Sequence, residues 1–80
     1  MITEILQGII KLNPEDTYFD GSSMLCFDWY FEGEDAVYVL MQSNHMYVVS
    51  DKDGNFHKHR FNYDQNPLKE LKEILNEHVS

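Results

Sequence analysis

Met24-Leu25-Cys26-Phe27-Asp28-Trp29-Tyr30-Phe31-Glu32 is the stretch on which the fold turns. Along a strand, successive side chains alternate between the two faces. Alternation puts Leu25, Phe27, Trp29 and Phe31 on one side. Met24, Cys26, Asp28, Tyr30 and Glu32 fall on the other. The first side is wholly apolar and needs a cover. The second mixes aromatic and acidic groups.

Reading outward, Glu32-Gly33-Glu34-Asp35 makes a turn. Residues 36–42 form a second strand, with Val37, Val39 and Met41 on one face and Ala36, Tyr38 and Leu40 on the other. Ser43-Asn44-His45 turns into a third strand over 46–50. Lys52-Asp53-Gly54-Asn55 predicts a tight hairpin, because Asp-Gly supplies the positive φ such turns require. Residues 56–63 are the fourth strand. Upstream, Ile2, Ile5, Leu6, Ile9 and Ile10 recur at helical spacing. Thr3 can cap that helix, and Asn13-Pro14 ends it, since proline pushes the residue before it out of helical geometry. Residues 15–23 are polar and turn-prone around Gly21-Ser22-Ser23, with Tyr18-Phe19 either a short strand or a loop tucked on the core. Downstream, Asn66 caps and Pro67 opens a last helix with the stripe Leu68, Leu71, Ile74 and Leu75.

The expected fold is α+β: a four-stranded antiparallel meander flanked by N- and C-terminal helices, in the order α-β-β-β-β-α. Both helices pack on one sheet face. With 80 residues the chain reads as a single domain, 1–80. A chain of this size buries roughly 60–65% of its unfolded surface, so its stability is modest unless a second copy or a partner helps. Eleven aromatics and 42% hydrophobic residues exclude a disordered chain. Cys26, the one cysteine, excludes an intrachain disulfide. No apolar stretch is long enough to span a bilayer as a helix, and Met1-Ile2-Thr3-Glu4 lacks the basic and apolar regions of a signal peptide. The expectation is a cytoplasmic protein without a membrane partner.

Charge is unevenly placed. The formal net charge is -8. Between Lys11 and Lys52 there is no Lys or Arg, and Glu15, Asp16, Asp20, Asp28, Glu32, Glu34, Asp35 and Asp51 all lie there. Elsewhere acids and bases cancel. Such a one-sign stretch repels the phosphate backbone, which argues against direct nucleic-acid binding. It attracts basic protein surfaces, or it serves only solubility.

Motifs that carry chemistry are sparse. His57-Lys58-His59 places two imidazoles on one strand face, where they can share an ion with His45 or Asp51 as a third ligand. Two histidines on a strand are common without metal, and the reading is no metal and no cofactor. Asp51-Lys52-Asp53-Gly54-Asn55 fails as a calcium loop, since Phe56 stands where the sixth-position glycine belongs. Gly21-Ser22-Ser23-Met24-Leu25 lacks the second glycine of a nucleophile elbow. A cysteine within an apolar strand, like Cys26, is usually packed rather than reactive. The chain is read as no enzyme.

The expected function is therefore a small acidic interaction protein that docks on the basic surface of a nucleic-acid-handling protein, such as a nuclease, and inhibits it. Asp28, Glu32, Glu34 and Asp35 would supply the electrostatics, and Tyr30 and Tyr38 the contact area. In size, acidity and helix–sheet–helix layout the chain is similar to phage-encoded inhibitors of host defence nucleases and to immunity proteins against nuclease toxins. It carries no motif that marks either group. The alternatives are a homodimeric assembly protein that buries the second sheet face, and a small metal- or ligand-binding domain built on His45, His57 and His59.

Overall fold

The structure is a computed structural model that describes residues 2–19 and 25–79, without the side chains of Ile2 and Val79. It is an α+β fold with one antiparallel sheet and two helices. Helix α1 spans Ile2–Ile10. The strands are β1 (Asp16–Phe19), β2 (Leu25–Tyr30), β3 (Ala36–Met41), β4 (His45–Lys52) and β5 (Asn55–Asn62). A short 3-10 turn, Tyr63–Gln65, leads into helix α2 (Pro67–Val79).

The sheet has five strands, not four, in the order β1-β2-β3-β4-β5. The additional strand falls in the segment read as turn-prone. Thr17, Tyr18 and Phe19 suit a pleated surface, and they pair with β2, Thr17 opposite Phe27 and Tyr18 opposite Cys26. All four β1 residues are exposed, so β1 adds an edge but little core. The expected break at Gly21-Ser22-Ser23 and the placement of Met24 lie outside the described residues.

Register fixes the two faces. Phe27 pairs with Val39 and Val39 with Val48; Trp29 pairs with Val37; Met41 pairs with Met46. Phe27, Val37, Val39, Met46 and Val48 are fully buried. Both helices cover this face, as the apolar stripe of β2 requires. Ile5 and Ile9 come from α1, and Leu71 and Leu75 from α2. Each such side chain contributes about 1.5–3 kcal/mol on burial. The Trp29 indole Nε1–H donates to the Leu12 carbonyl at 3.0 Å, which anchors the end of α1 over β2. The helices approach closely at Gly8, where a Cβ would run into the Leu68 side chain.

The ends of the elements follow local chemistry. After α1 the turns tighten, with Leu12 N–H donating to the Ile9 carbonyl and Asn13 N–H to that of Ile10. Asn13 then takes φ 57° and Pro14 cannot continue the helix. Helix α1 already includes Thr3, so Thr3 lies within the first turn rather than capping it. The β4–β5 hairpin turns as predicted, on positive φ at Asp53 and Gly54. Asn66 stands before Pro67 in left-handed geometry, unlike the extended backbone of most caps. Its carbonyl accepts the Lys69 N–H. Among the described residues, no helix is long and apolar enough to cross a membrane.

Candidate functional site

Among the described residues, no helix or strand lies over the face of the sheet away from α1 and α2. It carries Asp16 and Tyr18 on β1, and Cys26, Asp28 and Tyr30 on β2. Ala36, Tyr38 and Leu40 come from β3, and His45, Tyr47, Val49 and Asp51 from β4. Strand β5 adds Phe56, Lys58 and Arg60. Tyr18, Tyr30 and Phe56 are 47%, 46% and 68% exposed. Such values on an open sheet face leave a broad aromatic surface in water.

Asp28 is the unusual residue of this face. It is a carboxylate in the middle of β2, yet only 5% exposed. Its Oδ2 accepts the Tyr30 hydroxyl at 3.1 Å. Its Oδ1 is buried without a hydrogen-bond partner. Asp16 lies directly opposite it across the β1–β2 ladder, and like charges so placed destabilise the pair. Neither acid has an ion-pair partner among the described residues. The Asp28 carboxylate also reaches the neighbouring phenols. Its hydrogen bond, followed by desolvation, pushes Tyr30 up to about 12. Desolvation, then the same carboxylate, raises Tyr18 above its ordinary value. Tyr38, paired with Asp28, sets its ring edge-on to Tyr30 at 6.3 Å.

The other buried, unpartnered side-chain atoms found among the described residues are both ring nitrogens of His45 and Oδ1 of Asp51. They lie on this same open face. Buried polar atoms are normally satisfied, and these lie together on one face of the sheet. The basic residues gather at its far edge. Lys58 and Arg60 project from β5, and Lys58 Nζ sits 4.2 Å from the centre of the Tyr47 ring. The face is bipolar: acid at β1–β2, base at β5.

The six residues singled out from sequence divide into three places. Asp28, Tyr30 and Tyr38 meet on the open face. Glu32 and Glu34 are exposed in the β2–β3 turn at its end. Asp35 turns toward the helices instead. It accepts the Asp53 backbone N–H at 3.1 Å, and its Oδ2 is 3.3 Å from His78 Nδ1. Those contacts hold the Asp35 carboxyl below its usual value, the Asp53 amide most of all. Asp16, Tyr18, Tyr47, Lys58 and Arg60 belong to the face as well. Only strand register brings them there.

A second concavity lies beside α2. A groove of about 410 Å³ runs between α2 and β5, lined by Ser50, His57, His59, Phe61, Glu70, Glu73, Ile74 and Glu77. His57 and His59 do share a face. His45 and Asp51 lie on the opposite face, which removes both as the expected third ligand. Among the described residues no three His, Cys, Asp or Glu side chains are placed to hold one ion.

Next to the groove, Ser50 Oγ is 2.9 Å from His78 Nε2, and His78 Nδ1 faces Asp35. The order Ser, His, Asp is that of a nucleophile, base and orienting acid. Ser50, however, sits in mid-strand with β3 and β5 on either side, opposite Val37 and His57. The ladder uses the local amides that an oxyanion would need. The His78 side chain is fully buried and stacks on Phe31 at 5.0 Å. The three residues fasten the end of α2 to the sheet.

Comparison with protein-family models, with curated proteins and with solved structures finds no match for this chain.

Proposed function

We propose that this is a non-enzymatic interaction domain that presents the open face of its sheet to a basic protein. The observation that carries the reading is Asp28: a nine-tenths buried carboxylate with one unpartnered oxygen, set among tyrosines on an uncovered face. A lone buried acceptor is costly, and a guanidinium or ammonium from a partner relieves that cost. Tyr18, Tyr30 and Tyr38 offer ring faces for the same cation. Glu32 and Glu34 extend the negative field beyond the sheet and speed encounter. The partner class that fits is a nucleic-acid-handling protein, whose binding groove must be basic. The domain would compete with nucleic acid for that groove, as phage anti-defence and immunity-type inhibitors do.

The test uses exposed residues only, because Asp28 is buried and Asp35 is bonded to His78. Parent protein and an Asp16→Lys/Glu32→Lys/Glu34→Lys variant are each used to capture proteins from a lysate, with salt elution. The captured protein is then purified and its nucleic-acid binding titrated. Parent protein should abolish that binding and the variant should not. Equal inhibition by both, or inhibition by neither, sinks the reading.

A further inference from the structure

The same face fits a second copy of this chain, and we infer that two copies close on each other face to face about a two-fold axis parallel to β3. This rests on reading the open face as an interface, and not on which basic protein it meets.

Charge selects the axis. Two sheets can pack face to face about a two-fold axis that runs along the strands or across them. An axis across the strands lays β1 on β1 and β5 on β5. The acidic edge, with Asp16, then lies over the acidic edge of the other copy, and the basic edge, with Lys58 and Arg60, over its basic edge. An axis along β3 reverses the strand order and lays β1 of one copy on β5 of the other. The register then decides what meets. Asp16, Asp28, Tyr38, Val49 and Lys58 share one level across the sheet, so Asp16 falls over Lys58 of the second copy. At the next level Tyr18 falls over Arg60, a cation on a ring face. Leu40 meets Leu40 on the axis, and Tyr38 meets Tyr38. Asp51 comes level with Tyr30 and meets no acid. No like charges oppose each other at these levels, and each acid–base contact occurs twice, as an isologous interface requires.

Size is adequate for a reversible dimer. Five strands about 4.8 Å apart and about six residues long cover roughly 24 by 20 Å. Two such patches bury on the order of 1,000 Å², the lower bound for a specific interface. This packing also covers the face that holds the unpartnered buried atoms found among the described residues. In this register the second copy offers Lys58 to Asp16 and lays Val49 over Asp28. A basic partner and the second copy occupy the same face, so they exclude each other.

Sedimentation equilibrium over a wide concentration range tests this with two single variants, Asp16→Lys and Lys58→Glu. Both side chains are exposed, so circular dichroism should show the parent fold. The parent should dimerise reversibly. Each variant alone should dimerise about tenfold or more weakly. Their equimolar mixture should recover the parent affinity, because Lys at 16 then meets Glu at 58 while Asp16 meets Lys58. A parent that stays monomeric at every concentration overturns the dimer and leaves the basic-partner reading intact. A dimer indifferent to both variants, or weakened variants that do not rescue each other, overturns this face or this axis. Dimer behaviour as expected, with inhibition of the basic partner unchanged in the Asp16→Lys/Glu32→Lys/Glu34→Lys variant, supports the dimer and sinks the function proposed above.

Discussion

Ser50 Oγ lies 2.9 Å from His78 Nε2, a hydrogen bond between residues 28 positions apart that joins mid-β4 to the last turn of α2. Ser50 is buried and the His78 side chain is fully enclosed. Removing the hydroxyl leaves a buried ring nitrogen without its partner. Ser50→Ala should therefore cost about 1–3 kcal/mol, read as a lower urea midpoint at unchanged slope. His78→Ala should cost more, since it also removes the stack on Phe31. A Ser50→Ala protein as stable as the parent would show that this bond holds nothing.

Asp35 completes that chain and makes it sensitive to acid. Its folded carboxyl is held below the ordinary value of 3.8, chiefly by the Asp53 amide and then by His78. A depressed carboxyl contributes stability that is fully present above the unfolded value. That contribution disappears as pH falls through the lower folded value. Asp35→Asn should have a lower urea midpoint than the parent at pH 7, and the two curves should converge below about pH 4. A gap that persists into strong acid would mean that the charge on Asp35 is not what the amide and His78 favour.

Trp29 joins packing to a hydrogen bond. It is 6% exposed, and its indole holds the Leu12 carbonyl. Trp29→Ala should cost about 3–5 kcal/mol, enough to unfold a domain of this size. Trp29→Phe keeps most of the apolar volume and loses the donor, so it should remain folded at a cost nearer 1–3 kcal/mol. Thermal melts followed by far-UV dichroism separate the two. A well-folded Trp29→Ala protein would contradict the placement of this ring in the core.

The β2 faces were legible because a strand's period is two. Once Leu25, Phe27 and Trp29 are assigned inward, Asp28 and Tyr30 must point outward. The β4–β5 hairpin was equally legible, since Asp53-Gly54 encodes its own turn. Strand β1 was only half visible. Asp16-Thr17-Tyr18-Phe19 is four residues long, wholly exposed, and becomes a strand through pairing with β2 rather than through its own burial pattern. The candidate face was hidden for a related reason. Asp16, Tyr18, Lys58 and Arg60 reach Asp28's surface only through register, which local sequence does not state. Register likewise parted His45 from His57 and His59, though all three looked alike as metal ligands. Asp35 was grouped with Glu32 and Glu34 by adjacency, and a contact with His78, 43 positions away, turned it inward.

Tyr30 reports on Asp28 without perturbing the core. The hydrogen bond to Asp28 pushes its hydroxyl up to about 12. The difference between the absorbance titrations of the parent and Tyr30→Phe at high pH should isolate one step near that value. In Asp28→Asn the Tyr30 step should move back toward 10. The sign for stability follows from the raised value. The contribution of this pair is fully present below about pH 10 and is lost as pH rises through about 12. A Tyr30 step at the ordinary phenol value in the parent would remove the hydrogen bond, and with it the description of Asp28 as half satisfied.

Gly8 of α1 faces α2, with the Leu68 side chain where a Cβ would be. Alanine is favoured over glycine inside a helix by about 1 kcal/mol. Forcing a methyl group against Leu68 costs about 1–3 kcal/mol through overpacking. The second effect should win, so Gly8→Ala lowers stability in the parent. In a Leu68→Ala background the obstacle is gone and only helix preference remains. There the same substitution should raise stability, giving a reversal of sign across the double-mutant cycle. Urea denaturation of the four proteins measures it. A Gly8→Ala effect of the same sign and size in both backgrounds would show that glycine at this position is not required by the contact with α2.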